Sequence, residues 1–132
     1  MFGSISSDLG IDLGTCNTII YIRSKGIVLN EPSVVAVERG TKKIVAVGTD
    51  AKRMLCKTPG HIHAIKPLRD GVIADLESTE KMIRYFISRA LPRYRFIKPR
   101  MVLGIPSCIT EVESRAVEEC AYKAGAREVI VI

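Results

Sequence analysis

The strongest constraint on the fold lies near the start, where two short apolar runs are separated by four small or polar residues. Residues 9–13 are mostly apolar, Gly14-Thr15-Cys16-Asn17 follows, and residues 18–22 resume with β-branched and aromatic side chains. Strand, tight turn, strand is the reading this pattern supports. Ser24-Lys25-Gly26 makes a second turn and residues 27–29 a third strand, giving an antiparallel meander. Pro32 ends it, because proline has no N–H to donate to a ladder.

Residues 34–37 and 44–47 read as a hairpin with a polar tip, and residues 50–55 as a short helix capped by Thr49. Residues 58–70, rich in Pro, Gly and basic side chains, read as irregular. Asp75 is placed to cap a helix whose apolar positions Thr79, Ile83, Phe86, Ile87 and Ala90 fall at helical spacing, with Pro92 as the stop. Residues 101–105 read as a buried strand. Thr110 and Glu113 form a capping box before a helix whose expected inner face is Val112, Ala116, Val117, Cys120, Ala121 and Ala124. Gly125 suits a left-handed C-cap, and residues 129–132 form a last strand. A strand–helix–strand crossover makes the final pair parallel and right-handed. The fold class is therefore α/β: a mixed sheet flanked by helices, with a small α+β insertion.

With 47% hydrophobic and 26% charged residues, 132 residues suffice for one core and do not read as disordered. The net charge of +6 is concentrated: Arg89, Arg93, Arg95, Lys98 and Arg100 carry five positive charges without an acid between them, and the remainder balances 15 bases against 14 acids. This is a local patch, not a nucleic-acid-binding face. Cys16, Cys56, Cys108 and Cys120 lack metal-site spacing and read as free thiols in a reducing cytosol. His61 and His63 have no acidic or cysteine neighbour and are assigned no role. No run approaches the 18 apolar residues of a membrane span, and the first seven residues do not resemble a signal peptide, so a soluble cytoplasmic protein is expected.

Chemistry is concentrated between Gly10 and Thr18. A turn of small residues can expose successive backbone N–H groups as a concave anion site suited to phosphate. Thr15 and Asn17 add side-chain donors, and Asp12 is placed to hold water on a phosphate-bound Mg²⁺. Taken alone, Asp-Leu-Gly-Thr reads more readily as a plain β-turn than as a phosphate site.

This loop resembles the first phosphate loop of the actin, Hsp70 and sugar-kinase superfamily, which joins strands one and two of a ribonuclease-H-like sheet. Further segments closely resemble the MreB family of bacterial actin-like proteins: Leu29-Asn30-Glu31-Pro32-Ser33-Val34-Val35-Ala36, Lys57-Thr58-Pro59-Gly60, Asp70-Gly71-Val72-Ile73-Ala74-Asp75, Gly104-Ile105-Pro106-Ser107 and Ala124-Gly125-Ala126-Arg127. The resemblance runs in one register from Asp8 to Ile132.

It implies an actin-like fold in which 1–32 and 76–132 form the sheet-and-helix part and 33–75 a small inserted subdomain. It further implies ATP with Mg²⁺ as ligand, and self-association into filaments on the inner face of the bacterial cell membrane. Cell-wall synthesis and shape-complex proteins are the implied partners. By the same resemblance Gly14, Thr15, Cys16 and Asn17 bind the phosphates and Asp12 acts through water on the metal. The family usually has Ala in place of Cys16. After the last strand it continues with Glu-Glu-Pro, a second phosphate loop and an adenine pocket. On that comparison the 132 residues are expected to be a non-polymerising amino-terminal fragment of a slow ATPase, with no catalytic residue of its own.

In the family the basic segment carries apolar residues that enter the lipid interface, which makes Tyr94, Phe96 and Ile97 candidate membrane contacts; the alternative is a solvated loop. Burial of Phe96 and Ile97 would contribute about 1.5–3 kcal/mol each, and each cation beside anionic lipid about 1 kcal/mol. Two other functions stand beside the cytoskeletal one: a short regulator that caps filaments, and a piece of another superfamily ATPase such as a sugar kinase.

Overall fold

The computed structural model describes residues 8–57, 60–70, 72–91, 99–105 and 109–132. In chain order the elements are β1 (Asp8–Leu13), β2 (Asn17–Ile22), β3 (Gly26–Pro32), β4 (Val35–Glu38), β5 (Ile44–Val47), α1 (Thr49–Lys57), β6 (Ile62–Ile65), β7 (Leu68–Arg69), β8 (Val72–Ile73), α2 (Leu76–Ala90), β9 (Arg100–Gly104), α3 (Glu111–Lys123) and β10 (Glu128–Val131).

Alternation in β1 sets the main sheet. Successive side chains of a strand point to opposite faces, so Leu9, Ile11 and Leu13 are buried while Asp12 stands exposed on the other side. β2 and β3 follow as the expected antiparallel meander, with a bulge between Ile20 and Tyr21. β9 pairs parallel with β1, and β10 parallel with β9, giving the order β10-β9-β1-β2-β3. Arg100 donates to both carboxylate oxygens of Asp8, at 3.0 and 2.9 Å, and ties β9 to the start of β1. These bonds hold the Asp8 carboxyl below its ordinary value.

Both long helices cover the face that carries Leu9 and Ile11. Asp75 caps α2, its carboxylate accepting from Ser78 N and Oγ, and Met82, Ile83, Phe86 and Ile87 form the buried stripe. Thr110 and Glu113 form the full capping box of α3. Glu113 also accepts from Ile73 N, which docks β8 against this helix; these hydrogen bonds hold its carboxyl below the ordinary value. The buried stripe of α3 is Val117, Cys120 and Ala121. Val112, expected in it, is 79% exposed. At about 100° per residue, five positions rotate it about 140° from Val117 and off the face. Gly125 has φ +117° and follows the helix end, as the sequence suggested.

A second sheet, order β5-β4-β6, fills the stretch between β3 and α2. β4 is its central strand and is buried on both sides: Val35 belongs to the main core, Ala36 packs with Val34 and Ala51 of α1. That explains its unbroken apolar sequence. β6 corrects the reading of residues 58–70 as wholly irregular. Its pairing with β4 (Val35↔Ile65, Val37↔His63) is a long-range contact that local composition does not reveal. β7 and β8 make a further small hairpin, with Asp70 at φ +51° in its turn.

Thr49 does not cap α1; it lies inside the helix. The capping acceptor comes from β3 instead. Glu31 accepts from Thr49 N at 2.9 Å with one oxygen and from Arg89 of α2 at 2.7 Å with the other. Gly48, at φ +69°, makes room: a Cβ there would strike the Glu31 carboxylate and the Phe86 ring. One nearly buried carboxylate thus joins β3, α1 and α2. Glu31→Ala should lower the unfolding free energy by about 2–3 kcal/mol, because it strands a helix-end N–H and a cation. Glu31→Gln, which keeps an acceptor, should cost less. Urea denaturation of the two variants measures both, and equal losses would refute the capping role.

Candidate phosphate-binding loop

The turn between β1 and β2 is closed by Gly14 N donating to Asn17 O at 3.0 Å. Gly14 is required by this close approach, since a Cβ there would stand 2.5 Å from the Asn17 carbonyl oxygen. Thr15 is half-buried, and Cys16 and Asn17 are exposed at the rim. Asp12 lies exposed at the end of β1, opposite Gly104 of β9 in the parallel register. A Cβ at Gly104 would be 3.6 Å from Asp12 Oδ1, an ordinary van der Waals contact. The structure thus brings Asp12, Gly14, Thr15, Cys16 and Asn17 together at one end of the sheet.

One role changes. Asn17 was expected to offer its side chain to phosphate, but its Nδ2 donates to Asn30 Oδ1 at 3.0 Å. An amide carries two hydrogens, so one remains for a ligand.

The residues that hold the loop come from β3 and just beyond, and the loop motif does not contain them. Ser33 is 1% exposed. Its N–H donates to Cys16 O at 2.9 Å and its Oγ to Gly14 O at 2.7 Å. Thr18 Oγ1 lies 2.8 Å from Ser33 Oγ. The signal was present in Asn-Glu-Pro-Ser, which marks the family resemblance. Nothing local in those four residues says that they reach back to a turn 13 to 19 positions earlier.

Among the described residues no group of three or more His, Cys, Asp or Glu side chains can cage a metal ion. Asp12 as a lone exposed carboxylate fits an ion held through water and not one stripped of it.

The positive patch is smaller than the sequence suggests. Arg89 is paired with Glu31 and Arg100 with Asp8, so two of the five cations serve internal ion pairs. Arg93, Tyr94, Arg95, Phe96, Ile97 and Lys98 lie outside the described residues. No helix is long and apolar enough to cross a membrane among the described residues.

Residues 6–132 match the family model described as MreB/Mbl protein. The chain belongs to the MreB/Mbl family. It is 52% identical over 122 residues to the cell shape-determining protein Mbl of Bacillus subtilis (strain 168), covering 92% of this chain and 37% of that protein. It is 51% identical over 135 aligned positions to the cell shape-determining protein MreB of Escherichia coli (strain K12), covering 98% of this chain and 39% of that protein. The chain therefore spans under two-fifths of the length of these relatives. Among solved structures, MreB5 of Spiroplasma citri bound to ADP superimposes with a TM-score of 0.82 at 35% identity, over 96% of this chain and 38% of that one. A MamK double helical filament shares the fold at 21% identity and a TM-score of 0.79, over 96% of this chain and 40% of that one. The fold is actin-like, as the family resemblance implied.

Cys16 and Cys120 are both free thiols, one exposed and one buried. Burial pushes the Cys120 thiol up to about 11. In a Cys56→Ser, Cys108→Ser background at pH about 8, a thiol reagent should therefore modify Cys16 in the native chain and Cys120 only after denaturation. Equal rates at the two positions would contradict this packing of α3.

Proposed function

We propose that this chain carries the first phosphate loop of an ATP-binding, filament-forming cell-shape protein of the bacterial cytoskeleton. The closed turn from Gly14 to Asn17, braced by Ser33 and flanked by Asp12, is the observation that carries this reading. The likeness to an MreB5 chain bound to ADP, and to another bound to AMPPNP, supports a nucleotide as the ligand. In the reading, backbone N–H groups of the turn hold phosphate oxygens, Thr15 and Asn17 add side-chain donors, and Asp12 orients water on Mg²⁺. Mg²⁺ would neutralise phosphate charge there. Residues 1–32 and 76–132 form the sheet-and-helix part, and 33–75 the small inserted subdomain. In the whole protein, filaments would lie on the inner face of the cell membrane and guide cell-wall synthesis with shape-complex partners.

The 132 residues as they stand offer ATP one loop, so the expected dissociation constant is about 1 mM or weaker. Backbone amide resonances of residues 14–17 should move as Mg·ATP is added, and Asp12→Ala should weaken the response to Mg²⁺. Shifts confined to other parts of the chain would overturn the assignment.

For the membrane, the support is the sequence of the segment around Phe96 and Ile97, with three cations left after the ion pairs of Arg89 and Arg100. Anionic liposomes should retain the chain at low salt and release it as salt rises. Phe96→Ser with Ile97→Ser should weaken retention without altering far-UV dichroism. Unchanged retention by that double variant would leave the segment without a membrane role.

A further inference from the structure

Ser33 holds the turn through two different carbonyls, and the consequence follows from peptide geometry. In a trans peptide the C=O of one residue and the N–H of the next point in opposite directions, and no described peptide is cis. Ser33 Oγ takes the Gly14 carbonyl, so the Thr15 N–H points away from Ser33. Ser33 N takes the Cys16 carbonyl, so the Asn17 N–H also points away from it. Both amides of the turn thereby point away from Ser33.

The hydroxyl bond has a fixed polarity. A carbonyl cannot donate, so the single Ser33 hydroxyl proton lies toward Gly14 O. Thr18 Oγ1 must then be the donor to Ser33 Oγ. The order is Thr18 O–H to Ser33 O–H to Gly14 C=O, and each bond polarises the next. All of this is buried: Thr18 and Ser33 are each 1% exposed.

We infer that Ser33 is the positioning residue of the phosphate loop. It fixes the Gly14–Thr15 and Cys16–Asn17 peptide planes so that the Thr15 and Asn17 N–H groups face an anionic ligand before one arrives. It touches no ligand itself. Without the hydroxyl, the Gly14 carbonyl loses its buried partner and is free to rotate, and a carbonyl oxygen turned into the loop would repel phosphate. The inference rests on the nucleotide reading for its purpose, but not for the geometry.

The test compares Ser33→Ala with Thr18→Val in the uniformly ¹⁵N-labelled chain. Thr18→Val removes the donor to Ser33 and leaves the Ser33-to-Gly14 bond in place. In the chain without nucleotide, Ser33→Ala should displace the Thr15 and Asn17 amide resonances and hasten their hydrogen exchange; Thr18→Val should leave both near wild type. With Mg·ATP, Ser33→Ala should weaken the response of those amides about tenfold and Thr18→Val less than about twofold. Wild-type Thr15 and Asn17 resonances in unliganded Ser33→Ala, or equal effects from both variants, would overturn the inference. If Ser33→Ala moves the amides but the wild-type chain gives no response to Mg·ATP, the positioning role stands and the nucleotide reading fails. Should Ser33→Ala lose spectral dispersion, Ser33→Cys, of near-equal size and a much poorer donor, supplies the same comparison.

Discussion

A buried hydroxyl has one proton to place, and where Ser33 places it decides the shape of the turn between β1 and β2. Few side chains of the turn hold it from within: Gly14 has none, Cys16 faces solvent, and Asn17 bonds outward to Asn30. Its conformation must therefore be imposed from outside, and the imposing group sits just past the end of β3. The same few residues do more. Asn30 engages the Asn17 side chain, Glu31 caps α1 and pairs with Arg89, and Pro32 closes the ladder. From Asn30 to Ser33 the chain engages the loop on one side and α1 and α2 on the other.

A phosphate loop built from backbone amides tolerates changes in its side chains and is sensitive to its supports. Cys16 illustrates the first point, since its exposed thiol takes no part in the hydrogen bonds that close the turn. Gly14 illustrates the second, since it admits the Asn17 carbonyl at close range. Glu31 extends this frame to α1 and α2, so the loop, α1 and the core helix containing Phe86 rest on one set of contacts.

The order of the main-sheet strands and the two long helices was legible in the sequence because their signals are local. Alternation in residues 9–13, the Asp75 cap and the Thr110–Glu113 box each act within one or two turns of chain. The failures share the opposite property. β6 exists through pairing with β4, α1 is capped by a residue from β3, and Val112 leaves the buried stripe because α3 faces the sheet along a narrow line. For the site, the loop residues stood out by composition and the family resemblance gave them roles. Ser33 was visible only as part of a fingerprint, because a serine after a proline carries no mark of a carbonyl it will meet across the sheet. Charge misled in the same way: Arg89 and Arg100 look like surface cations until Glu31 and Asp8 come beside them.

The claim on which the functional reading turns is that the loop presents Thr15 and Asn17 amides, oriented by Ser33, to a nucleotide phosphate. A high-resolution crystal structure of the chain grown with Mg·ADP tests it directly. Phosphate oxygens should lie about 2.7–3.2 Å from the Thr15 and Asn17 nitrogens, with Ser33 Oγ still on the Gly14 carbonyl. A nucleotide bound elsewhere, or phosphate seated only after the Gly14–Thr15 peptide has flipped away from Ser33, would contradict it.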